Sequence, residues 1–393
     1  MFVRSLRLQN FRSWSSADFE FGPGVSVLVG RNGFGKTNVI EALYYVATLR
    51  SHRVSTDAPL IRTTAESATI AATVENSGRE LTVELQLTAG RANKALINGA
   101  PRRRPRDVLG VLRSVLFSPE DLQLVRGDPA ERRRYLDELA AMRSPAAAAA
   151  KTDYDRVLRQ RTALLKSAAS AMRRGGADAE SVISTLDVWD EQLAQFGGQV
   201  MAARLDVLRD VEPHVVQAYS TIAPDSRPVR LGYRSSGEDA PAPTADQPAD
   251  AQELGQWLLS ELGRVRSKEI DRGVCLIGPH RDDVDLWLGA EPAKGFASHG
   301  ESWSLALALR LGSVELIRAD GAEPVLMLDD VFAELDAARR AALVAHVRDA
   351  EQVLITAAVA DDIPAELAGN RIAVVMKEID GQRISQVDSA VTA

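Results

Sequence analysis

Cysteine is almost absent. Cys275 stands alone among 393 residues, which excludes an internal disulfide framework and a cysteine-built zinc cluster. That scarcity fits a reducing compartment, where disulfides rarely persist. Aromatic residues are few, at 5%. No stretch approaches the roughly 18 apolar residues of a membrane span. Met1-Phe2-Val3-Arg4-Ser5-Leu6-Arg7 lacks the unbroken apolar segment of a secretory signal. The expectation is a cytoplasmic protein with no membrane attachment. Positive charge is not in excess either. The formal net charge of −7 argues against indiscriminate coating of nucleic acid, yet a local basic groove stays compatible with it. What remains is ordinary globular material, 45% hydrophobic and 26% charged, long enough for two domains.

The short β-branched run Val25-Ser26-Val27-Leu28-Val29 predicts a buried strand, followed by a glycine-rich loop and a helix from Asn38 to about Leu49. Strand character dominates from Ala68 to Ile97, where Leu81, Val83, Leu85 and Leu87 alternate, and Asn98-Gly99 signals a hairpin turn. Beyond Pro129 the pattern turns helical. Val182, Leu186, Trp189, Leu193, Phe196 and Val200 form a heptad-like seam, with Tyr154, Leu158 and Leu165 as part of an opposing stripe. The seam is too short for a long coiled-coil arm, so a compact helical lobe is expected. Ser235 to Gln252 is rich in Pro, Ala, Asp and Gly and reads as an exposed insertion without fixed structure. Leu254 to Val265 resumes a helical period. Val284, Leu286 and Leu288 alternate, and Val325–Leu328, Val353–Thr356 and Ile372–Met376 read as strands.

Gly30-Arg31-Asn32-Gly33-Phe34-Gly35-Lys36-Thr37 satisfies the G-x-x-x-x-G-K-[ST] pattern, with a strand before it and a helix after it. Its glycines let the backbone wrap a phosphate and aim N–H groups inward. Lys36 is placed to reach the β- and γ-phosphates of ATP, and the Thr37 hydroxyl to ligate Mg2+. Val325-Leu326-Met327-Leu328 ends in Asp329 and Asp330. Asp329 is the expected second magnesium ligand, and Asp330 the group that orients the attacking water.

Ser298-His299-Gly300-Glu301 precedes an apolar helix and has two compatible readings. One is a helix capping box. The other is an ABC-type signature, in which Ser298 and Gly300 contact the γ-phosphate held by a partner subunit. Glu334-Leu335-Asp336 resembles the D-loop of such ATPases.

From these motifs, together with Leu8-Gln9-Asn10-Phe11-Arg12, Phe117 to Leu122, Arg132 to Asp137 and Gly278-Pro279-His280-Arg281-Asp282-Asp283, the chain resembles the RecF family over essentially its whole length. That resemblance implies an α/β fold, an ABC/SMC-type P-loop ATPase head with an inserted, mainly helical lobe. Expected boundaries are 1–127 and 275–393 for the two parts of the head and 128–274 for the lobe. It also implies ATP-driven homodimerisation on double-stranded DNA, slow hydrolysis, a role in recombinational repair, and RecR and RecO as partners in loading recombinase. Arg12 resembles an ATP-contacting arginine of related repair ATPases. The chain departs from the usual pattern at Asp330, where most relatives of this architecture carry Glu. It departs again at Ser302-Trp303 and at Ile355-Thr356-Ala357, where Thr356 is the positional candidate for sensing the γ-phosphate.

Arg102, Arg103, Arg104 and Arg106 follow the hairpin turn and suit phosphate contacts with DNA, or simply a solvated loop. Arg132 to Arg134 suit either DNA contacts or internal ion pairs. Alternatives to a DNA-stimulated ATPase are an adaptor that binds ATP and DNA without hydrolysis, and the ATPase subunit of a transporter.

Overall fold

In the computed structural model, which describes residues 1–174, 176–241, 247–379 and 381–388, β1 (Phe2–Phe11), β2 (Trp14–Glu20) and β3 (Gly24–Val29) lead into α1 (Lys36–Thr48). Then come β4 (Ser67–Asn76), β5 (Arg79–Thr88), β6 (Lys94–Ile97), β7 (Ala100–Pro101) and β8 (Ser114–Phe117). The central stretch holds α2 (Leu122–Arg126), α3 (Pro129–Arg143), α4 (Pro145–Arg174), α5 (Gly176–Ile222), β9 (Val229–Arg234), α6 (Ala251–Arg272), β10 (Asp283–Leu288), β11 (Glu291–Pro292) and the single turn α7 (Ala293–Phe296). The chain closes with α8 (His299–Ala319), β12 (Val325–Asp329), α9 (Ala337–Val347), β13 (Gln352–Ala357), β14 (Asn370–Ile379) and β15 (Gln382–Val387).

Two units separate. The first comprises Met1–Leu122, His214–Ser226 and Ser298 onward; the second comprises Gln123–Pro213 and Arg227–Ala297. The border inside α5 falls at its internal proline, Pro213, whose missing N–H interrupts the helical ladder. Cys275–Ala297, given to the head by the sequence pattern, falls in the second unit, because β10 pairs with β9 along its whole length.

The first unit holds two six-stranded sheets. In β1 the buried residues are Val3, Leu6, Leu8 and Phe11. The break in alternation after Val3 coincides with a register shift between Val3 and Ser5 against β4, as a bulge requires. This antiparallel sheet runs β2-β1-β4-β5-β6-β7. Asn98 (φ 50°) and Gly99 (φ 74°) make the expected tight turn between β6 and β7. The second sheet runs β15-β14-β3-β13-β12-β8, parallel throughout except for the antiparallel β15. Val39 to Ala47 of α1 are buried. They share one core with Leu6, Ile70 and Leu85 of one sheet and Met327 and Leu354 of the other. Apart from Glu41, the buried run of this helix is apolar around its circumference, which suits a position between two sheets.

In the second unit α4 and α5 run antiparallel. Leu165 clusters with Leu186, and Tyr154 with Leu193 and Val200, while Leu258, Leu262 and Val265 of α6 complete the core. The expected seam is real, but α5 is 47 residues long. One correction applies to Ser235–Gln252. Ala251 and Gln252 begin α6, capped by Asp250, whose side chain accepts from the backbone N–H groups of Gln252 and Glu253. Ser236 is tied to Asp282 and Gly278, and Glu238 to Glu261 and Trp257. These polar contacts hold backbone that has few apolar anchors of its own. Residues 242–246 lie outside the described residues.

Among the described residues, no helix is long and apolar enough to cross a membrane.

Candidate active site

The parallel sheet brings its carboxyl ends together. Asp329 lies opposite Thr356, Leu328 opposite Phe117, and Val29 opposite Ala357. Gly30, Asp330 and Ser118 therefore leave β3, β12 and β8 at the same edge of the sheet, where open α/β sheets place their ligands.

The loop Gly30–Thr37 follows β3 at this edge. Gly33 and Gly35 have φ values of 82° and 101°, a region that L side chains disfavour. Arg31, Asn32 and Gly33 are exposed, Phe34 is half-buried against the core, and Lys36 is only 3% exposed. Lys36 Nζ donates to Gly30 O at 2.7 Å and to Asn32 Oδ1 at 3.4 Å. It is thus held across the mouth of the loop.

Thr37 Oγ1 donates to Asp329 Oδ1 at 3.0 Å. Thr356 Oγ1 donates to the same oxygen at 2.6 Å and accepts the Asp330 backbone N–H at 2.9 Å. Asp330 itself takes φ 49°, a left-handed conformation that Asp tolerates better than most residues. Burial pushes the Asp329 carboxyl up to about 6; the hydrogen bonds from Thr356 and Thr37 oppose this, and the charge of Asp330 adds to it. Thr37 and Asp329 offer hard oxygen donors at one point, and the buried carboxylate gains most from a cation beside it. The pair fits Mg2+. A cleft of about 260 Å³ opens here, lined by Asn32, Pro119, Asp330, Phe332 and Thr356.

His52, which no spacing in the sequence announces, is buried beside this cluster. Its Nε2 lies 3.9 Å from Asp329 Oδ2, and its ring meets Tyr44 edge-on at 5.3 Å.

Arg12, at φ 52° in the bend between β1 and β2, is bound to a fully buried carboxylate. Its Nε and Nη2 donate to Glu41 of α1 at 2.8 and 2.6 Å, and its Nη1 donates to Pro59 O at 3.0 Å. Ser298 caps α8 as the sequence predicts. Its hydroxyl accepts the Glu301 N–H at 3.2 Å, while Glu301 Oε2 accepts the Ser298 N–H at 2.9 Å. A Cβ on Gly300 would lie 2.6 Å from the guanidinium of Arg339. Arg339 donates to Ser304 Oγ at 2.8 Å and pairs with Asp336. One arginine thus joins the starts of α8 and α9.

Arg102, Arg103 and Arg104 are exposed and Arg106 is half-buried, around the short turn Pro105–Val108. Arg132 to Arg134 make internal contacts instead: Arg132 with Asp283, Arg133 with Asp282 O, and Arg134 with Glu131. In the second unit, Tyr154 Oη lies 2.7 Å from His280 Nδ1, and burial pulls the His280 pKa down to about 4.

A family model described as the RecF/RecN/SMC N-terminal domain matches residues 2–382. The chain is 55% identical, over 98% of its length, to the DNA replication and repair protein RecF of Rhodococcus erythropolis, covering 97% of that protein. Its fold is similar to a solved structure of the recombination mediator protein RecF with ATP in the RecFOR pathway. The TM-score there is 0.83 at 24% identity, covering 99% of this chain and 98% of that one. It is also similar to an Smc head domain from Pyrococcus furiosus bound to the C-terminal domain of ScpA, with TM-score 0.53, 17% identity, and coverage of 99% and 96%. The structural matches concern the fold, and the sequence matches fix the kinship: the chain belongs to the RecF/RecN/SMC N-terminal domain family, in its RecF branch.

Proposed function

We propose that this chain is an ATP-hydrolysing, DNA-binding protein of recombinational repair and replication-gap processing. The observation that carries the reading is the 3.0 Å contact between Thr37 and Asp329. It joins the end of a phosphate-binding loop to a buried carboxylate at the edge of a parallel sheet.

In this reading the loop backbone cradles the phosphates, and Lys36 leaves Gly30 O to neutralise the β- and γ-oxygens. Thr37 and Asp329 would hold Mg2+, which would supply positive charge against the phosphates. Thr356 fixes the Asp329 carboxylate and the Asp330 backbone together. Asp330 orients the attacking water. Ser298 and Gly300 present a capped helix start, with its positive end, to the γ-phosphate held by a second copy, so that ATP joins two subunits around double-stranded DNA. RecR and RecO are the partners in this scheme, recombinase loading is the outcome, and the cytoplasm is the setting.

A second reading, an adaptor that binds ATP without hydrolysing it, is favoured by Asp330. Its carboxylate sits one methylene short of a glutamate, on backbone fixed by Thr356. Phosphate release with and without duplex DNA separates the two. Turnover that rises with DNA supports the enzyme, and ATP and DNA binding without release supports the adaptor.

Two further results are expected. Ser298→Arg removes the cap at a cost of about 1 kcal/mol. It leaves the monomer folded but places a bulky cation where the partner's nucleotide must approach. ATP-dependent dimers should disappear in sedimentation, and dimers that persist would contradict the shared site. Replacing Arg102, Arg103, Arg104 and Arg106 by Ala should weaken duplex binding uniformly across sequences. It should also lower the slope of log affinity against log salt by roughly 2 to 4. An unchanged slope would return these residues to a solvated loop.

A further inference from the structure

The phosphate loop is gripped from behind by residues far away in sequence. Ser385 on β15 is fully buried, and its Oγ lies 2.6 Å from Phe34 O and 2.6 Å from Ser13 Oγ. A single hydroxyl proton serves only one of these contacts. With Ser385 donating to Phe34 O, the Ser13 hydroxyl completes the second contact, and Ser13 Oγ accepts Asn38 Nδ2 at 2.8 Å. Trp14, also fully buried, donates its indole N–H to Gly35 O at 3.1 Å. The backbone joins in, since Ser385 N donates to Ser13 O at 3.0 Å.

The fit is close. A Cβ on Gly35 would collide with the hydroxyls of Ser385 and Ser13, and a Cβ on Gly30 would collide with Val374 O of β14. The β14–β15 hairpin therefore abuts both ends of the loop, while the bend between β1 and β2 supports its later turn.

The consequence follows from peptide geometry. In a planar trans peptide, the C=O of one residue and the N–H of the next point in opposite directions. Holding Phe34 O and Gly35 O against Ser385 and Trp14 turns the N–H groups of Gly35 and Lys36 to the other side, where a phosphate is cradled. We infer that Ser385 and Trp14 are positioning residues for nucleotide binding: they orient the loop's amide donors through their carbonyls without touching the ligand. This rests on the ATP reading given above.

The test measures binding of a non-hydrolysable ATP analogue with Mg2+, and of inorganic tripolyphosphate, at a temperature where every variant is folded by circular dichroism. Ser385→Ala and Trp14→Phe should each weaken both ligands by roughly 3- to 10-fold, the worth of one hydrogen bond. The loss should be equal for the two ligands, because only the phosphate cradle is disturbed. Ser385→Thr, which keeps the hydroxyl, should restore affinity. A merely structural role would lower the melting temperature and leave the affinity of folded protein unchanged. If the parental chain binds both ligands and both variants bind as tightly, the clamp is overturned while the ATP reading stands. If the parental chain binds neither, both fall.

Discussion

Lys36→Arg is expected to leave the protein folded and still able to hold some nucleotide, while ATP turnover falls by roughly 10²–10³-fold, the usual cost of losing one preorganised charge-stabilising group. The reason lies in the space available. Lys36 is 3% exposed, and its Nζ fits between Gly30 O and Asn32 Oδ1. An ammonium is a compact point charge with three donors on a flexible stem; a guanidinium is a wide planar fork. The substitution keeps the charge, but the fork does not fit between the same two acceptors or reach the same phosphate oxygens. The deficit should appear in kcat at saturating ATP more than in analogue binding. Undiminished hydrolysis would mean that this loop is not the phosphate site.

Glu269→Ala is expected to destabilise the second unit by about 3–5 kcal/mol, because it strands one end of a buried ion cluster. Arg161 is fully buried between two carboxylates: its Nε pairs with Asp190, its Nη2 donates to Glu269 Oε2 at 2.6 Å, and its Nη1 lies 3.1 Å from Cys275 Sγ. Burial works against the charged guanidinium, but the hydrogen bonds and charges of Asp190 and Glu269 more than offset it, so its pKa is raised. Glu269 also accepts the Leu276 N–H at 2.6 Å. The alanine variant loses a partner for the cation and one for the backbone at once. Urea unfolding followed by circular dichroism gives the size of the loss. A change below about 1 kcal/mol would mean that water reaches Arg161, contrary to its burial.

What the sequence makes legible is what local pattern encodes. The β-branched strand, the glycine loop and the buried helix form one continuous signal, so Gly30 to Thr37 falls where expected. Val325 to Leu328 reads as a buried strand because a parallel strand covered on both faces is apolar throughout. Ser298 and Glu301 sit three residues apart, and the capping box follows from that spacing. What stays hidden is set by tertiary pairing. His52 reaches Asp329 only after the chain has turned at the end of α1. Ser13 and Ser385 meet across 372 positions. The alternation of Val284, Leu286 and Leu288 reveals a strand but not its partner, which is β9. Ser235 to Gln252 lacks apolar anchors, yet its described parts are held by Asp282, Gly278 and Glu261, contacts that no composition predicts.

In the proposed function, ATP joins two copies of this chain on duplex DNA. Sedimentation of the Asp330→Asn variant, chosen to slow hydrolysis, tests it with ATP and Mg2+ in the presence and absence of duplex DNA. The expected result is a monomer that becomes a dimer with ATP and sediments together with the duplex. A persistent monomer that ignores the DNA would contradict it.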